Sequence, residues 1–306
     1  MLRLIVIRLI QMPCILAVIF LVTFALAWLL PGSPLDRPEG FRPSKQIQEA
    51  MQRQYNLDDP LAFARTYLLQ AARLNFGPSL AYRDQTVNDI LGDALPVSAM
   101  LGLAALAVAL GLGVVAGTVG AIRPGSFVDL SSLLVALIGV SLPTFVTGML
   151  LLVGFAGVLQ WLPPGDWGGP QHVILPAVTL GVMPAAYIAR LIRLGLADVA
   201  GSDYIRTARA KGLSPNRVLF KHALKVAFLP VLSFLGPAAA ATMTGSFVVE
   251  KVFNVPGMGE YFVNAVLNKD QFLILGVVLI YSVILVAFNL IVDVAYAWVD
   301  PRIELE

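Results

Sequence analysis

Apolar residues in this chain come in long unbroken runs, not in the period-two or period-3.6 alternation of a fold with one wet face. A hydrocarbon core about 30 Å thick takes about 20 apolar residues in a helix. Six runs reach that length, at approximately 9–30, 97–122, 130–157, 173–196, 227–249 and 272–298. Only a helix or a closed barrel satisfies its own backbone without water, and runs of this length and spacing predict helices. The pattern predicts an all-α polytopic membrane protein with six transmembrane helices.

Between the first two runs lies a more polar stretch, 31–96, in which helix signals recur. Asp59-Pro60 sets a capping carboxylate before proline at the first helical position, and Leu61, Ala64, Leu68 and Ala71 follow on one face. A further start at Asp84, ahead of Val87, Ile90 and Leu91, leads through Pro96 into the second run. The expected division is an N-terminal transmembrane helix (1–30), a helical extracytoplasmic segment (31–96), a core with five transmembrane helices (97–298) and a short tail (299–306). Arg3 and Arg8 ahead of the first run, with Ala25-Leu26-Ala27 near its end, also fit a cleavable signal peptide. The run continues through Trp28, Leu29 and Leu30 to Pro31-Gly32, which favours a retained helix.

Composition fits a lipid solvent, with 58% hydrophobic and 13% charged residues, where a soluble domain carries roughly 25% charged. A net charge of +2 gives no basic field for nucleic acid, so the positive charges matter through their placement. The loop between the fourth and fifth runs holds Arg193, Arg206, Arg209, Lys211, Arg217, Lys221 and Lys225. The next loop has only Lys251 and Lys269, and 160–172 has none. An excess of Lys and Arg marks cytoplasmic loops, which with six spans places both termini in the cytoplasm and 31–96 outside.

Catalytic chemistry finds no footing. Cys14 is the only cysteine, and His172 and His222 lack ligand-spaced neighbours, which excludes a disulfide framework and gives no metal site. There is no Walker-type glycine loop, zinc motif, nucleophile elbow or paired-carboxylate site, so no catalytic, cofactor-binding or metal residue is assigned. Spans two to five carry no charge in their central stretches, unlike a proton-driven carrier. Asp293, on one helix face with Asn289, reads either as a snorkelled or locally paired acid or as a gate residue. The span middles hold Gly111, Gly113 and Gly117, then Gly139, Pro143 and Gly148, then Gly181 and Pro184. These fit close helix packing or the neutral wall of a translocation path.

The cytoplasmic loop 198–226 reads as helix, break, helix. Asp203 can cap a helix over 204–211, Gly212 can end it, and Ser214-Pro215 can cap and start the next. Basic residues at a membrane surface also serve as topology anchors or lipid contacts. The stretch Tyr204-Ile205-Arg206-Thr207-Ala208-Arg209-Ala210-Lys211-Gly212-Leu213 resembles the cytoplasmic coupling loop of ABC importer permeases of the peptide branch. Further matches are Pro31-Gly32-Ser33-Pro34, Phe76-Gly77-Pro78-Ser79, Ile174-Leu175-Pro176, Pro256-Gly257-Met258-Gly259 and Asp300-Pro301-Arg302. In this order and spacing they cover nearly the whole chain, closest to the oligopeptide permease inner-membrane subunit. The chain has Arg206-Thr207-Ala208 where the general importer pattern has Glu-Ala-Ala, and its Leu229-Pro230 lies farther downstream. No acidic side chain is therefore assigned the first ATPase contact.

The resemblance implies a type I ABC importer permease fold, and a bacterial inner-membrane transport subunit with no enzyme activity of its own. It implies that Tyr204 to Gly212, with Leu213, Ser214 and Pro215, form the segment that docks on an ATPase, with Gly212 as the turn. Arg206, Arg209 and Lys211, clustered on that helix, are expected to contribute to docking. Implied partners are a second homologous permease, two subunits that bind ATP and Mg, an extracytoplasmic peptide-binding protein and membrane lipids. The implied cargo is oligopeptides. Dipeptides, glutathione, nickel chelates or a peptide-like metallophore are the alternatives, and a secondary transporter, a channel or a scaffold are rival classes.

Overall fold

The computed structural model of the chain describes residues 2–31, 45–82, 84–244 and 246–299. The Pro31-Gly32-Ser33-Pro34 motif beyond Pro31, and the Asp300-Pro301-Arg302 motif in the tail, lie outside the described residues. Every regular element among the described residues is helical. In chain order they are α1 (Leu2–Leu29), α2 (Lys45–Tyr55), α3 (Pro60–Ala71), α4 (Val87–Ile122), α5 (Phe127–Ser141) and α6 (Thr144–Leu151). Then come α7 (Pro170–Ala200), α8 (Asp203–Ala210), α9 (Pro215–Val218), α10 (Leu224–Ala227), α11 (Leu229–Thr244), α12 (Ser246–Val252), α13 (Met258–Leu267) and α14 (Gln271–Val299). π-helical turns over Leu152–Val158 and Leu219–Ala223 continue α6 and join α9 to α10.

Among the described residues, four helices are long and apolar enough to cross a membrane, and two bent pairs bring the number to six if each pair is one span. The third and fifth runs, each expected to be one span, are the bent pairs. In the third, Leu142 is extended (φ −80°, ψ 132°), and the chain resumes as a helix bent by 112°. Pro143 is the cause, because its ring disfavours helical geometry in the residue before it. The fifth begins before its apolar run, at Pro215, and bends by 54° next to Phe228. The fourth run, expected over 173–196, is a helix from Pro170 to Ala200 that holds Arg193 within it rather than in a loop.

Two start signals resolve differently. Asp59 caps α3, its carboxylate accepting from the amides of Leu61 and Ala62 at 3.0 and 3.1 Å. Asp84 does not cap α4; it sits in a turn with φ +61°. Thr86 takes that position, its hydroxyl accepting from the Asp89 amide while the Asp89 carboxylate accepts from the Thr86 amide and hydroxyl. That reciprocal pairing is a capping box, which satisfies amides the first helical turn leaves open.

The chain forms two compact units. One comprises the described residues within 6–98 and 256–286. Its core is aromatic: Phe20 of α1 stacks on Tyr67 of α3, Phe63 stacks on Tyr67 and Phe24, and Phe272 of α14 meets Phe63 edge-on at 5.1 Å. The Phe76-Gly77-Pro78-Ser79 motif supports this core. Gly77 has φ +85°, and any side chain there would strike the Phe272 ring. Ser79 Oγ and the amides of Leu80 and Ala81 donate to one oxygen of buried Asp270 at 2.6, 2.7 and 2.9 Å, and the Leu273 amide donates to the other. Burial pushes the Asp270 carboxyl up from its ordinary value, and these hydrogen bonds pull against it.

The other unit, the described residues within 1–5, 99–255 and 287–299, is built around α7. Packing occupies most of the small residues of the span middles. A Cβ on Gly113 of α4 would lie 2.7 Å from the Ala185 carbonyl oxygen and from Ile188, and one on Gly117 would fall on the Ala189 carbonyl oxygen. From the other side, Gly181 of α7 meets the Ala105 carbonyl of α4. Two helices close this far only where at each contact one of them carries no side chain, and Gly113 and Gly117, four residues apart on α4, give the small-xxx-small arrangement of membrane helices. Gly111 faces open space and takes no part.

Candidate functional site

The segment that follows α7 is short, polar on one side and apolar on the other. In α8, Ile205 and Ala208 are buried, 1% and 5% exposed, while Tyr204, Arg206, Thr207, Arg209 and Ala210 are exposed. Three residues apart, Ile205 and Ala208 share a face. They join a core with Ile192 and Leu196 of α7 and Val218 of α9. A cavity of about 420 Å³ lies beside them, lined among others by Ile122, Leu196, Ile205, Arg209 and Leu213. Thus α8 is fixed to the unit by one edge and presents its remaining surface outward.

The ends of this helix follow from its sequence. Ser202 holds the cap position with extended geometry, so Asp203 is the first helical residue and not the cap. The Ser202 hydroxyl donates to the Val199 carbonyl, and the Asp203 carboxylate pairs with Arg206 on the exposed surface. Lys211 and Gly212 close the last turn, donating to the Thr207 and Arg209 carbonyls at 3.0 and 2.9 Å. Gly212 has φ +77° with open space where a Cβ would lie, the left-handed exit a glycine makes at least cost. Leu213 is half-buried, and Ser214 takes the cap position before Pro215, though its side chain makes no cap bond. The residues singled out from Tyr204 to Pro215 therefore form one continuous helix-and-turn segment, open except at buried Ile205 and Ala208 and half-buried Leu213. Of its three singled-out cations, Arg206 is engaged by Asp203, while Arg209 and Lys211 lie on the exposed surface.

The sequence did not reveal what braces this surface. Asp129, at the start of α5, is buried and accepts from Arg193 of α7 through both oxygens, at 2.6 and 2.9 Å. The Gly125 amide donates to the same carboxylate at 2.9 Å, and Ser126 caps α5 through the Asp129 amide. The pair ties the α4–α5 turn to α7, and seven residues separate Arg193 from the end of α7, where α8 begins. Arg193 reads in the sequence as a loop cation, and its separation of 64 residues from Asp129 hides the pairing. On the same unit, the Asp166 amide donates to the Phe253 carbonyl at 2.8 Å and Asn254 donates to the Asp166 carboxylate at 2.6 Å, which clasps two connecting loops.

A family model described as "Binding-protein-dependent transport system inner membrane component" matches residues 85–305, which include α4 to α14 and hence the whole surface described above. The chain belongs to that family. Among similar proteins, the dipeptide transport system permease protein DppB of Bacillus subtilis is 41% identical over 295 residues, covering 96% of this chain and 95% of the relative. The oligopeptide transport system permease proteins OppB of Haemophilus influenzae and Salmonella typhimurium are each 41% identical over 306 residues, covering 99% of both chains. Among solved structures, an inward-facing MetNI methionine ABC transporter superposes with a TM-score of 0.55 at 16% identity, over 69% of this chain and 96% of that one. The helical architecture is thus that of a type I ABC importer permease, an inner-membrane component, and the expected fold class holds.

Proposed function

We propose that this chain is one of two homologous permease subunits of an ATP-driven importer, and that it carries peptides delivered by an extracytoplasmic binding protein. Near-full-length likeness to permeases named for peptide transport supports the cargo class. Two ATPase subunits bind ATP and Mg on the cytoplasmic side, and this chain binds neither. Both termini and α8 lie on that side, and residues 31–96 lie outside.

One observation carries the mechanism. The surface of Tyr204 to Pro215 is anchored along one edge by Ile205 and Ala208 and open elsewhere. An ATPase docked on α8 moves it as a lever, and the motion enters α7 through the core shared by Ile205, Ile192 and Leu196. From α7 it passes to α4 across the glycine crossing and to α5 through Arg193 and Asp129. Interiors packed this closely move as bodies instead of deforming, so a small displacement at α8 reaches the spans. The division into a first helix, an outer helical segment and a five-span core with the loop 198–226 is part of the same proposal.

The reading is tested by uptake of a labelled peptide into vesicles holding the complete complex. ATP-dependent uptake that a Gly212→Glu change abolishes supports it; uptake unaffected by ATP overturns it. Equal identity to a dipeptide and an oligopeptide permease leaves dipeptides as the second reading of the cargo, and competition between dipeptides and longer peptides in the same assay separates them.

A further inference from the structure

α7 is the most buried of the long helices, yet one stripe along it is open. Met183, Tyr187, Arg190 and Leu194, at spacings of four, three and four, are all exposed. Beside the stripe lies a groove of about 430 Å³ between α4, α5 and α7. Its walls are small and apolar, with Ala116 and Gly117 from α4 and Ala136, Leu137 and Val140 from α5, and its polar end carries Arg190 and Arg193. Arg193 is spent on Asp129. No hydrogen bond or ion pair among the described residues engages Arg190.

The depth of Arg190 follows from its neighbours. The Arg193–Asp129 pair marks the end of the bent span that α5 opens, and Arg190 lies three residues farther into α7, about 4.5 Å along the axis. With α8 on the cytoplasmic side, that depth is the headgroup region of the inner leaflet. A guanidinium there needs a counter-charge, and it meets a planar, oxygen-rich anion through several donors at once. The groove next to it is lined mostly by apolar side chains and is open at the surface of the chain, the shape and polarity of an acyl chain. A peptide carboxylate would match the charge but not the apolar wall, nor a position at the leaflet edge.

We propose that this groove is a binding site for an anionic phospholipid of the cytoplasmic leaflet, with the phosphate on Arg190 and an acyl chain along Ala136, Leu137 and Val140. The orientation of the groove rests on the proposed function; the binding itself does not. Occupancy would lie against α5 and α7 next to the brace between Asp129 and Arg193, so the lipid would steady the elements that receive motion from α8.

The test uses the whole complex, purified in mild detergent, delipidated and titrated with phosphatidylglycerol, with bound lipid counted by native mass spectrometry. Arg190→Gln should weaken the tightest phosphatidylglycerol site by about tenfold, as expected for losing hydrogen bonds to a charged group. Ala136→Phe, which fills the groove and leaves Arg190 in place, should weaken it similarly, and phosphatidylcholine should not occupy the site in the wild type. Unchanged phosphatidylglycerol binding in both variants overturns the proposal. Loss of the second permease subunit from the Arg190→Gln complex also overturns it, because the counter-charge would then belong to a protein partner. A labelled peptide that competes with phosphatidylglycerol for the groove likewise overturns it, in favour of a cargo site.

Discussion

Replacing Asp129 by Asn tests the brace with the least change of shape. The wild-type carboxylate accepts two bonds from Arg193 and one from the Gly125 amide, and it is 2% exposed. The amide keeps one oxygen to accept with but offers an NH₂ group where the other received a donor, and it leaves the guanidinium without its charge. Removing one partner leaves the other charge without its counter-charge. Arg193 keeps 29% of its side chain in contact with solvent, which relieves part of that cost. The thermal midpoint of the purified complex should therefore fall by a few degrees. Arg193→Gln should match it, and the double variant should lose less than the sum, because the pair is then gone from both sides. Peptide uptake should fall further than ATPase association, since the brace lies on the path from α8 to α5. A midpoint within about 1 °C of wild type for both single variants would refute the reasoning.

Further consequences follow from other contacts. Gly117→Leu should force α4 and α7 apart at the Ala189 carbonyl, costing about 1–3 kcal/mol or more, and is read as a loss of monodisperse protein by size exclusion. Gly111→Leu, which meets open space, should leave the profile unchanged. Asp270→Ala strands four donors that converge on a buried carboxylate and should cost about 3 kcal/mol. Limited proteolysis should then cut residues 72–86 faster. Phe272→Ala empties the centre of the aromatic cluster, at about 3–5 kcal/mol, and should accelerate the same cleavage.

The helical class was legible because lipid leaves only one inexpensive solution to a run of about 20 apolar residues. Asp59-Pro60 was legible for a local reason: a cap and its proline act within one turn. The bend at Leu142 could have been read from Pro143, but the apolar run continues straight through it and hydropathy does not register backbone geometry. Asp84 misled because it precedes Thr86, whose hydroxyl and partner Asp89 are the better capping pair. Within the loop from Tyr204 to Pro215, the exit at Gly212 was visible as a glycine after a short helix. Its anchoring through Ile205 and Ala208 needed the tertiary fold, as did the pairing of Asp129 with Arg193 across 64 residues. Gly113 and Gly117 announced close packing, while their partner surface on α7 emerged only with the crossing itself.

The central claim is that α8 is the surface through which ATPase subunits drive the spans, and crosslinking in native membranes addresses it directly. With Cys14 replaced by serine, Thr207→Cys and Ala210→Cys would place single thiols on the open side of α8, and Leu69→Cys a control thiol on α3. The account predicts that a short thiol-reactive crosslinker captures an ATPase subunit from both α8 positions and none from Leu69→Cys, with the yield changing when ATP is added. No ATPase adduct from either α8 position, in vesicles that still import peptide, would contradict it.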